Sequence, residues 1–316
     1  MRFIDSLHEG ERINEIFLCK QKQTFLTKNG KPYESLILQD KTGTLDAKIW
    51  DPNSHGIEEF NSLDYIAVMG DVTSFQNSLQ LNVKRVRKAQ EGEFEPGNYL
   101  PVSEHDIDEM YRELTGYISL IKNGYLKQLL SGFFLEDKEF IKRFCFHSAA
   151  KTVHHGFVGG LLEHTLGVTR LCAKLAECYP IIQKDLLIAA GMFHDIGKLE
   201  ELSVFPENDY TDEGQLLGHI VIGTEWVSER IRKIPGFPKK LANELKHCIL
   251  SHHGELEFGS PKKPALVEAL ALTYADNIDA KMQTMKEAFS AAQNNNGWLG
   301  YNRLFESNIR KTGGLE

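Results

Sequence analysis

The spacing of apolar residues changes once along this chain, near residue 90, and that change limits the folds open to it. Before it, apolar and polar residues alternate, which predicts strands with one buried face. After it, apolar residues recur at steps of three and four, which predicts amphipathic helices. A chain of 316 residues is long enough for two domains. We therefore predict a multidomain protein in which a small β-barrel precedes an all-α helical bundle.

Five short strands are predicted in the first 90 residues. One lies in residues 13–27, and residues 33–51 (YESLILQDKTGTLDAKIWD) form a hairpin around the turn sequence DKTG. Residues 64–89 give two more strands, and a helical period appears only near 55–62. So many strands in so short a segment favour a closed barrel. The residues expected to face inward on the last strand are Leu79, Leu81, Val83 and Val86.

The domain boundaries follow from composition. Residues 91–106 hold two Gly, two Pro and several acids, which is typical of a linker. We therefore assign residues 1–90 to the barrel, 91–106 to the linker and 107–316 to a helical domain of about eight helices.

The barrel segment resembles OB-fold domains in its hairpin LILQDKTGTLDAKIWD and its strand pair GDV…LQLNVKRV. Such domains bind single-stranded nucleic acid through surface aromatics and a few cations. Core packing is the alternative for each aromatic ring, and a solvated strand end is the alternative for the basic run KRVRK. The candidates for base stacking and phosphate contact are Phe25, Tyr33, Trp50, Phe75, Lys48, Lys84, Arg85, Arg87 and Lys88.

Charge and composition exclude several classes of protein. Lys and Arg balance Asp and Glu over residues 1–90, so the net charge of −8 lies in the remainder and no general basic patch for duplex DNA is visible. No apolar run approaches the roughly 20 residues of a membrane helix, and the first residues do not form a secretory signal. The five cysteines are scattered without a CxxC, which predicts reduced thiols in a cytoplasmic protein that has no membrane partner.

Histidines of the helical half lie where apolar residues are expected. Nine of the 12 histidines are in this half, and several occupy the apolar face of their helix together with two aspartates. One buried histidine is usually a satisfied core residue, whereas a buried carboxylate costs on the order of several kcal/mol unless a partner or cation compensates it. Five helices that each direct such a residue inward therefore predict a shared metal site. These residues are His164, the pair His194-Asp195, His219, His252 and Asp276.

The residue types limit the chemistry of that site. No thiolate takes part, which excludes a structural zinc knot, and His with Asp suits Mn, Co, Fe, Ni or Zn without choosing among them. With His253 there are seven candidates, more than one ion needs, and a carboxylate such as Asp195 can bridge two ions. Two divalent ions roughly 3.5–4 Å apart can activate water and hold a phosphoryl oxygen, which favours hydrolysis of a phosphate ester.

The order of these residues resembles that of the HD-domain metal-dependent phosphohydrolases, in their dinuclear, phosphodiesterase-type branch. The resemblance implies one ion held by His164, His194, Asp195 and Asp276, and a second held by Asp195, His219, His252 and His253. It also implies that Lys198, in HDIGK, reaches a substrate phosphate; a cation at a helix C-terminus is the alternative. By the same resemblance His155, in HHGFVGGLLEHT (154–165), is a phosphate contact.

An OB-like domain followed by such an HD domain resembles the bacterial YhaM family of 3′-to-5′ exoribonucleases, over residues 1 to about 310. The resemblance implies hydrolysis of single-stranded RNA to nucleoside monophosphates, with Mn or Co as the favoured ion. Single-stranded DNA as a second substrate and a homo-oligomeric state stay open. So do two other functions: hydrolysis of a small or cyclic nucleotide, which buried barrel aromatics would favour, and a non-catalytic nucleic-acid-binding replication factor, which the intact ligand set disfavours.

Overall fold

The computed structural model describes residues 1–76, 78–151, 155–292 and 297–313. The chain divides into two compact units, Met1–Val102 with Val204–Asn208, and Ser103–Ser203 with Asp209–Glu316. We call them the barrel unit and the helical unit. Among the described helices, none has the length and apolar character needed to cross a membrane.

Five strands close the barrel unit. They are β1 (Arg12–Leu26), β2 (Pro32–Asp40), β3 (Gly43–Ile49), β4 (Tyr65–Phe75) and β5 (Ser78–Lys88). Their order around the barrel is β1-β2-β3-β5-β4, and β4 pairs with β1 to close it. The pairing is antiparallel except between β3 and β5, which are parallel. This is a five-stranded OB-like barrel, so the fold predicted for this half is confirmed.

The DKTG turn sets the register of the first hairpin. Oδ1 of Asp40 accepts hydrogen bonds from the backbone N–H of Thr42 (2.7 Å), from the Thr42 hydroxyl (2.6 Å) and from the backbone N–H of Gly43 (3.2 Å). Asp40 therefore pairs with Gly43 across a two-residue turn. From there the alternation brings Leu38 opposite Leu45, and both are buried in the barrel core.

The last strand also follows its alternation. Leu81, Val83 and Val86 are buried, and Leu79 is partly buried against the same core, as predicted. Residues 55–62 form turns and one parallel bridge between Ile57 and Val86 instead of a helix.

The first half of the predicted linker packs against the barrel. Phe94 stacks on Tyr65 with ring centroids 3.9 Å apart, and Tyr99 meets Tyr65 edge-on at 5.2 Å. The side-chain amide of Gln39 donates to the carbonyl oxygen of Tyr99 at 3.0 Å, and the Tyr99 ring is buried. These aromatic rings extend the barrel core, although the composition of the segment is that of a loop.

The helical unit follows. Its described helices are α1 (Ile107–Leu120), α2 (Gly124–Ser131), α3 (Lys138–Phe146), α4 (Gly160–Cys178), α5 (Lys184–Phe193), α6 (Lys198–Glu201), α7 (Asp212–Leu216), α8 (Gly218–Arg232), α9 (Lys239–Leu250) and α10 (Val267–Ala291). A π-helical turn, Gly132–Glu136, joins α2 to α3. The predicted helical domain is confirmed, and a two-stranded hairpin of β6 (Trp298–Asn302) and β7 (Ser307–Arg310) is added near its end.

Helix α5 lies in the middle of the helical core. Every residue from Leu186 to Phe193 is buried, because α5 is apolar on all sides and contacts α4, α9 and α10. The residues that follow its last turn are consequently delivered to the interior. These are His194 and Asp195, which are 0% and 2% exposed.

Candidate metal centre and nucleic-acid interface

Five segments of the helical unit direct His or Asp side chains to one point. Their residues are His164 of α4, His194 and Asp195 after α5, His219 of α8, His252 and His253 after α9, and Asp276 of α10. Only His253 and Asp276 among them are partly exposed. The structure thus brings together all seven candidate ligands identified in the sequence.

Gly197 permits this convergence. A Cβ atom on Gly197 would lie 2.1 Å from the carbonyl oxygen of His219 and 2.7 Å from the backbone nitrogen of Gly223. The backbone before α6 therefore touches the backbone of α8 directly. Any side chain at Gly197 would displace the α8 backbone at His219, which explains glycine in the sequence HDIGK.

The two carboxylate oxygens of Asp195 face different histidines. Oδ2 lies 3.3 Å from Nε2 of His164 and 3.4 Å from Nε2 of His194. Oδ1 lies 3.3 Å from Nε2 of His219 and 3.5 Å from Nε2 of His252. Asp195 therefore lies between two groups of ring nitrogens and contacts both.

Backbone carbonyls fix the orientation of three of the rings. His194, His252 and His253 each place Nδ1 within 2.7–2.8 Å of a carbonyl oxygen, belonging to Gly191, Ile249 and Phe258 respectively. A carbonyl oxygen only accepts, so each Nδ1 carries the hydrogen and the neutral ring has its lone pair on Nε2. Burial lowers the pKa of His252, and burial with the neighbouring His252 lowers the pKa of His253 to about 4, which keeps both rings neutral.

Carboxylates fix the other two rings. Oδ2 of Asp279 accepts from Nδ1 of His164, and Oε1 of Glu201 accepts from Nδ1 of His219, both at 2.8 Å. Burial raises the pKa of Asp279, but hydrogen bonds from His155 and His164 outweigh it and bring the pKa to about 2. The pKa of Glu201 is likewise lowered, because hydrogen bonds from His219 outweigh burial. Both acceptors are therefore ionised, and each fixes its ring so that Nε2 is directed inward. Burial opposes charge on His164, but hydrogen bonds to Asp195, Asp276 and Asp279 hold the pKa of His164 well above its usual range.

Asp279 and Glu201 were not identified from the sequence. Both carry a weak signal there, since Asp279 lies three residues after Asp276 on α10 and Glu201 lies three residues after Lys198 on α6. Residues three apart share a helix face, so each acid is directed towards the same region as the residue before it.

The donor set fits divalent cations. Among the described side chains, Oδ1 of Asp195, Nε2 of His219 and Nε2 of His252 are buried without a hydrogen-bond partner. Buried lone pairs that face one another are costly unless a cation lies between them. Three sets of residues among the described side chains have ligand atoms that all lie within 4.8 Å of one another, and two of these sets belong to this centre: His164 with His194 and Asp276, and His219 with His252 and His253. The third set is His155, His164 and Asp279. Imidazole nitrogen and carboxylate oxygen are the donors that divalent transition metals accept.

A cavity of about 400 Å³ opens onto this centre, and Lys198 lies in its wall. Nζ of Lys198 is 2.7 Å from Oδ2 of Asp195. Burial opposes both charges, but Lys198 and His194 hold the pKa of Asp195 well below its usual range, and Asp195 raises the pKa of Lys198. Lys198 is the first residue of α6, which is a single turn of helix.

His155 lies behind His164. It is buried, and its Nε2 is 3.1 Å from Oδ2 of Asp279, the same oxygen that accepts from His164. It lines a second cavity, of about 460 Å³, and not the cavity that contains Lys198. His154, its neighbour in the motif, lies outside the described residues.

Three aromatic rings form a row on the barrel unit. Phe25 of β1 stacks on Tyr33 of β2, and Tyr33 stacks on Trp50 after β3, with centroids 5.8 Å and 5.1 Å apart. Phe25 and Trp50 are 44% and 52% exposed, so core packing is wrong for these two rings. The indole N–H of Trp50 donates to Oδ1 of Asn82 at 3.0 Å, which holds its ring in place. Phe75, at the end of β4, is 61% exposed.

The predicted phosphate contacts of the barrel differ in their surroundings. Lys48 is mostly buried, and its ammonium donates to Ser35 at 2.6 Å and to Asp46 at 3.1 Å. Lys84 forms an ion pair with Asp71. Arg85 is exposed and forms no ion pair with the described residues. Arg85 is therefore the cation of these three that is most open to a phosphate.

The sequence of the helical unit matches a known family. Residues 161–281 match the family model described as HD domain. This segment holds all seven candidate ligands together with Lys198, Glu201 and Asp279.

Relatives match over most of the chain. A protein of Bacillus velezensis named 3′-5′ exoribonuclease YhaM is 36% identical over 284 residues, which cover 89% of each chain. The protein of the same name from Bacillus subtilis is also 36% identical with 89% of each chain covered. That from a Geobacillus strain is 35% identical over 280 residues, which cover 88% of this chain and 85% of the relative.

Two solved structures resemble less than a third of the chain each. The second OB-fold domain of replication protein A from Methanococcus maripaludis is 24% identical, with 30% of this chain and 98% of that chain covered and a TM-score of 0.22. A replication protein A heterotrimer bound to ssDNA is 19% identical, with 28% and 65% covered and the same TM-score. The strand order, not these likenesses, identifies the fold of the barrel.

Proposed function

This chain belongs to the YhaM family of 3′-5′ exoribonucleases, and on that premise we propose that it is a metal-dependent hydrolase that shortens single-stranded RNA from its 3′ end. The observation that carries the proposal is the position of Asp195, whose two oxygens face two groups of ring nitrogens. The proposed centre is dinuclear. Its ligands would be His164, His194, Asp195 and Asp276 for one ion, and Asp195, His219, His252 and His253 for the other.

The residues around the centre would have separate roles in catalysis. Divalent ions bound there would activate a water molecule and neutralise charge on the phosphodiester. Asp279 and Glu201 hold the rings of His164 and His219 so that Nε2 is directed inward. Lys198 lies in the cavity wall, where its ammonium can reach a phosphate oxygen and stabilise the negative charge that develops on it.

The barrel unit supplies the contact with the strand. Successive bases would stack on the row Phe25, Tyr33 and Trp50, and Arg85 would contact a phosphate. Every base has a π-face, so stacking tolerates any sequence, as degradation from an end requires. The same contacts accept single-stranded DNA, which we propose as a second substrate. All five cysteines are free thiols, which suits the reducing cytosol in which we place this activity.

A small cyclic nucleotide is a less suitable substrate. It needs no row of stacked aromatic rings, and Phe25 and Trp50 are exposed where that alternative expected burial. A non-catalytic replication factor would need neither the bare Nε2 atoms nor a lysine in the cavity wall.

A metal-rescue nuclease assay tests the proposal. The full-length protein is stripped with chelator, then given Mn, Co, Fe, Ni, Zn or Mg and a 5′-labelled single-stranded RNA, with the Asp195→Ala variant and a blunt RNA duplex in parallel. We expect stepwise shortening from the 3′ end that a transition metal restores, that the variant lacks and that the duplex resists. RNA left intact with every metal would contradict the proposal, and a cyclic dinucleotide would then be the next substrate to assay.

A further inference from the structure

A second cluster of ligand atoms lies on the Nδ1 side of His155. Oε1 of Glu163, on α4, is 3.8 Å from Nδ1 of His155 and 4.0 Å from Nε2 of His105. The hydroxyl of Ser103 donates to the other oxygen of Glu163, Oε2, at 2.5 Å. Oε1 is thus left facing both imidazole rings.

The Nδ1 atom of His155 is buried and has no hydrogen-bond partner among the described residues. Nε2 of the same ring faces Asp279, an ionised carboxylate that only accepts, so Nε2 carries a hydrogen. Nδ1 is the nitrogen left to bind another group, and it lies 3.8 Å from Oε1 of Glu163. A cation between these two atoms would bind both of them.

The surrounding charges also favour a cation. These atoms line the cavity of about 460 Å³, whose wall includes the acids Asp106, Glu109, Glu113, Glu163 and Asp279. Its two basic residues are already paired, since Arg170 forms two hydrogen bonds of 2.6 Å with Glu113, and Lys286 lies 2.8 Å from Glu104. An anion would therefore meet an excess of negative charge in this cavity.

We propose that His105, Glu163 and His155 bind a further divalent transition-metal ion, separate from the centre around Asp195. Bonds of roughly 2.0–2.2 Å to one zinc ion allow ligand atoms to be at most about 4.3 Å apart, and both separations from Oε1 of Glu163 are within that limit. Two imidazoles and one carboxylate form a ligand set that Zn²⁺ accepts, with a fourth position left for water. The ring of His105 is 60% exposed and can turn towards the ion.

Bound at this place, the ion would join the start of the helical unit to α4. Ser103 and His105 precede α1, and Glu163 is in the first turn of α4. The ion would also hold His155 against Asp279, whose carboxylate orients His164. The site is therefore structural and is independent of the nuclease activity proposed above.

The metal content of the full-length protein tests this site. Chelator-stripped protein is saturated with Zn²⁺, freed of excess by gel filtration and assayed for zinc by mass spectrometry. We expect Glu163→Gln and His105→Asn to bind one ion fewer per chain than the unchanged protein. Glu109→Gln makes the same chemical change as Glu163→Gln in the wall of the same cavity, at a residue that forms no ion pair with His105 or His155, and should bind the full number.

Two results would overturn the proposal: equal zinc content in all four proteins, or crystals that show no anomalous peak at the zinc edge between Glu163 and the two rings. Should Glu163→Gln fail to fold, His105→Asn decides, because its side chain is exposed. The assay uses no RNA, so its failure leaves the proposed nuclease function untouched.

Discussion

Oδ1 of Asp195 and Nε2 of His219 lie 3.3 Å apart, both buried and both without a hydrogen bond to any described residue. Glu201 accepts the hydrogen on Nδ1 of His219, so the facing Nε2 has only a lone pair. A carboxylate oxygen and a lone pair at this distance repel, and burial removes the water that would screen them. This pair is the observation that most strongly supports the proposed cation site at Asp195.

Replacing Asp195 should therefore empty the centre. In Asp195→Asn the side chain loses its negative charge. An NH2 group, which cannot bind a metal, replaces one of its two oxygens. We expect loss of bound metal and a fall in RNA hydrolysis greater than the roughly 10- to 100-fold that outer residues of metal sites cost. Metal content and the rate of 3′-end shortening measure the two effects.

Asp108→Asn is the matched control for this change. Asp108 is exposed on α1, so its loss should alter neither metal content nor rate. An Asp195→Asn protein that keeps its metal and its activity would remove Asp195 from the centre.

Glu201→Gln tests the role of the outer carboxylates. The amide oxygen can still accept from Nδ1 of His219, but without a negative charge it makes Nε2 a weaker donor to a metal. We expect the metal concentration for half-maximal activity to rise roughly 10- to 100-fold, with kcat recovered at saturating metal. A loss of kcat that no metal concentration restores would instead assign Glu201 a direct role in the reaction. Glu213→Gln, exposed on α7, is the control.

Much of the fold follows from local pattern. The alternation before residue 90 places Leu38, Leu45 and Leu81 in the barrel core, because successive side chains of a strand alternate between its faces. The hydrogen bonds of Asp40 in the DKTG turn are local, so the register of that hairpin could also be predicted. Convergence of His164 and Asp195 could be predicted because buried polar groups need partners.

Other features depend on contacts between distant residues. Asp279 meets both His155 and His164, and no local pattern links residues more than 100 positions apart along the chain. The packing of Phe94 against Tyr65 was missed for the same reason, since the composition around Phe94 indicates only a loop. The exposure of Trp50 could not be predicted either. The alternation shows on which face of the strand its side chain lies, but not whether the end of that strand extends beyond the barrel core.

Removing one ring of the aromatic row should weaken RNA binding without affecting hydrolysis. In Trp50→Ala, Tyr33 loses one of its two stacked neighbours and one base loses its platform. Stacking is worth about 1–3 kcal/mol per base, so we expect KM for a long single-stranded RNA to rise roughly 5- to 150-fold with kcat unchanged. Trp298→Ala removes another exposed indole, from the hairpin of the helical unit, and should leave KM as it was. Equal KM values for all three proteins would rule out the row as the RNA platform.

Glycine at position 197 should be required for both stability and metal binding. The Cβ of Gly197→Ala would lie 2.1 Å from the carbonyl oxygen of His219, and backbone atoms on both sides leave no flexible side chain to move aside. Overpacking typically costs about 1–3 kcal/mol, and we expect the free energy of unfolding of Gly197→Ala to fall by the upper end of that range, because the contact is with backbone.

Gly116→Ala is the matched control, because a Cβ on this exposed glycine of α1 meets nothing within 4 Å. Alanine at position 116 should stabilise the helix by about 0.5–1 kcal/mol. Chemical unfolding of both variants measures the difference, and zinc titration should show weaker binding only in Gly197→Ala, since only that change displaces His219 from Asp195. Equal unfolding free energies would mean that the contact between the α6 and α8 backbones is not what positions His219.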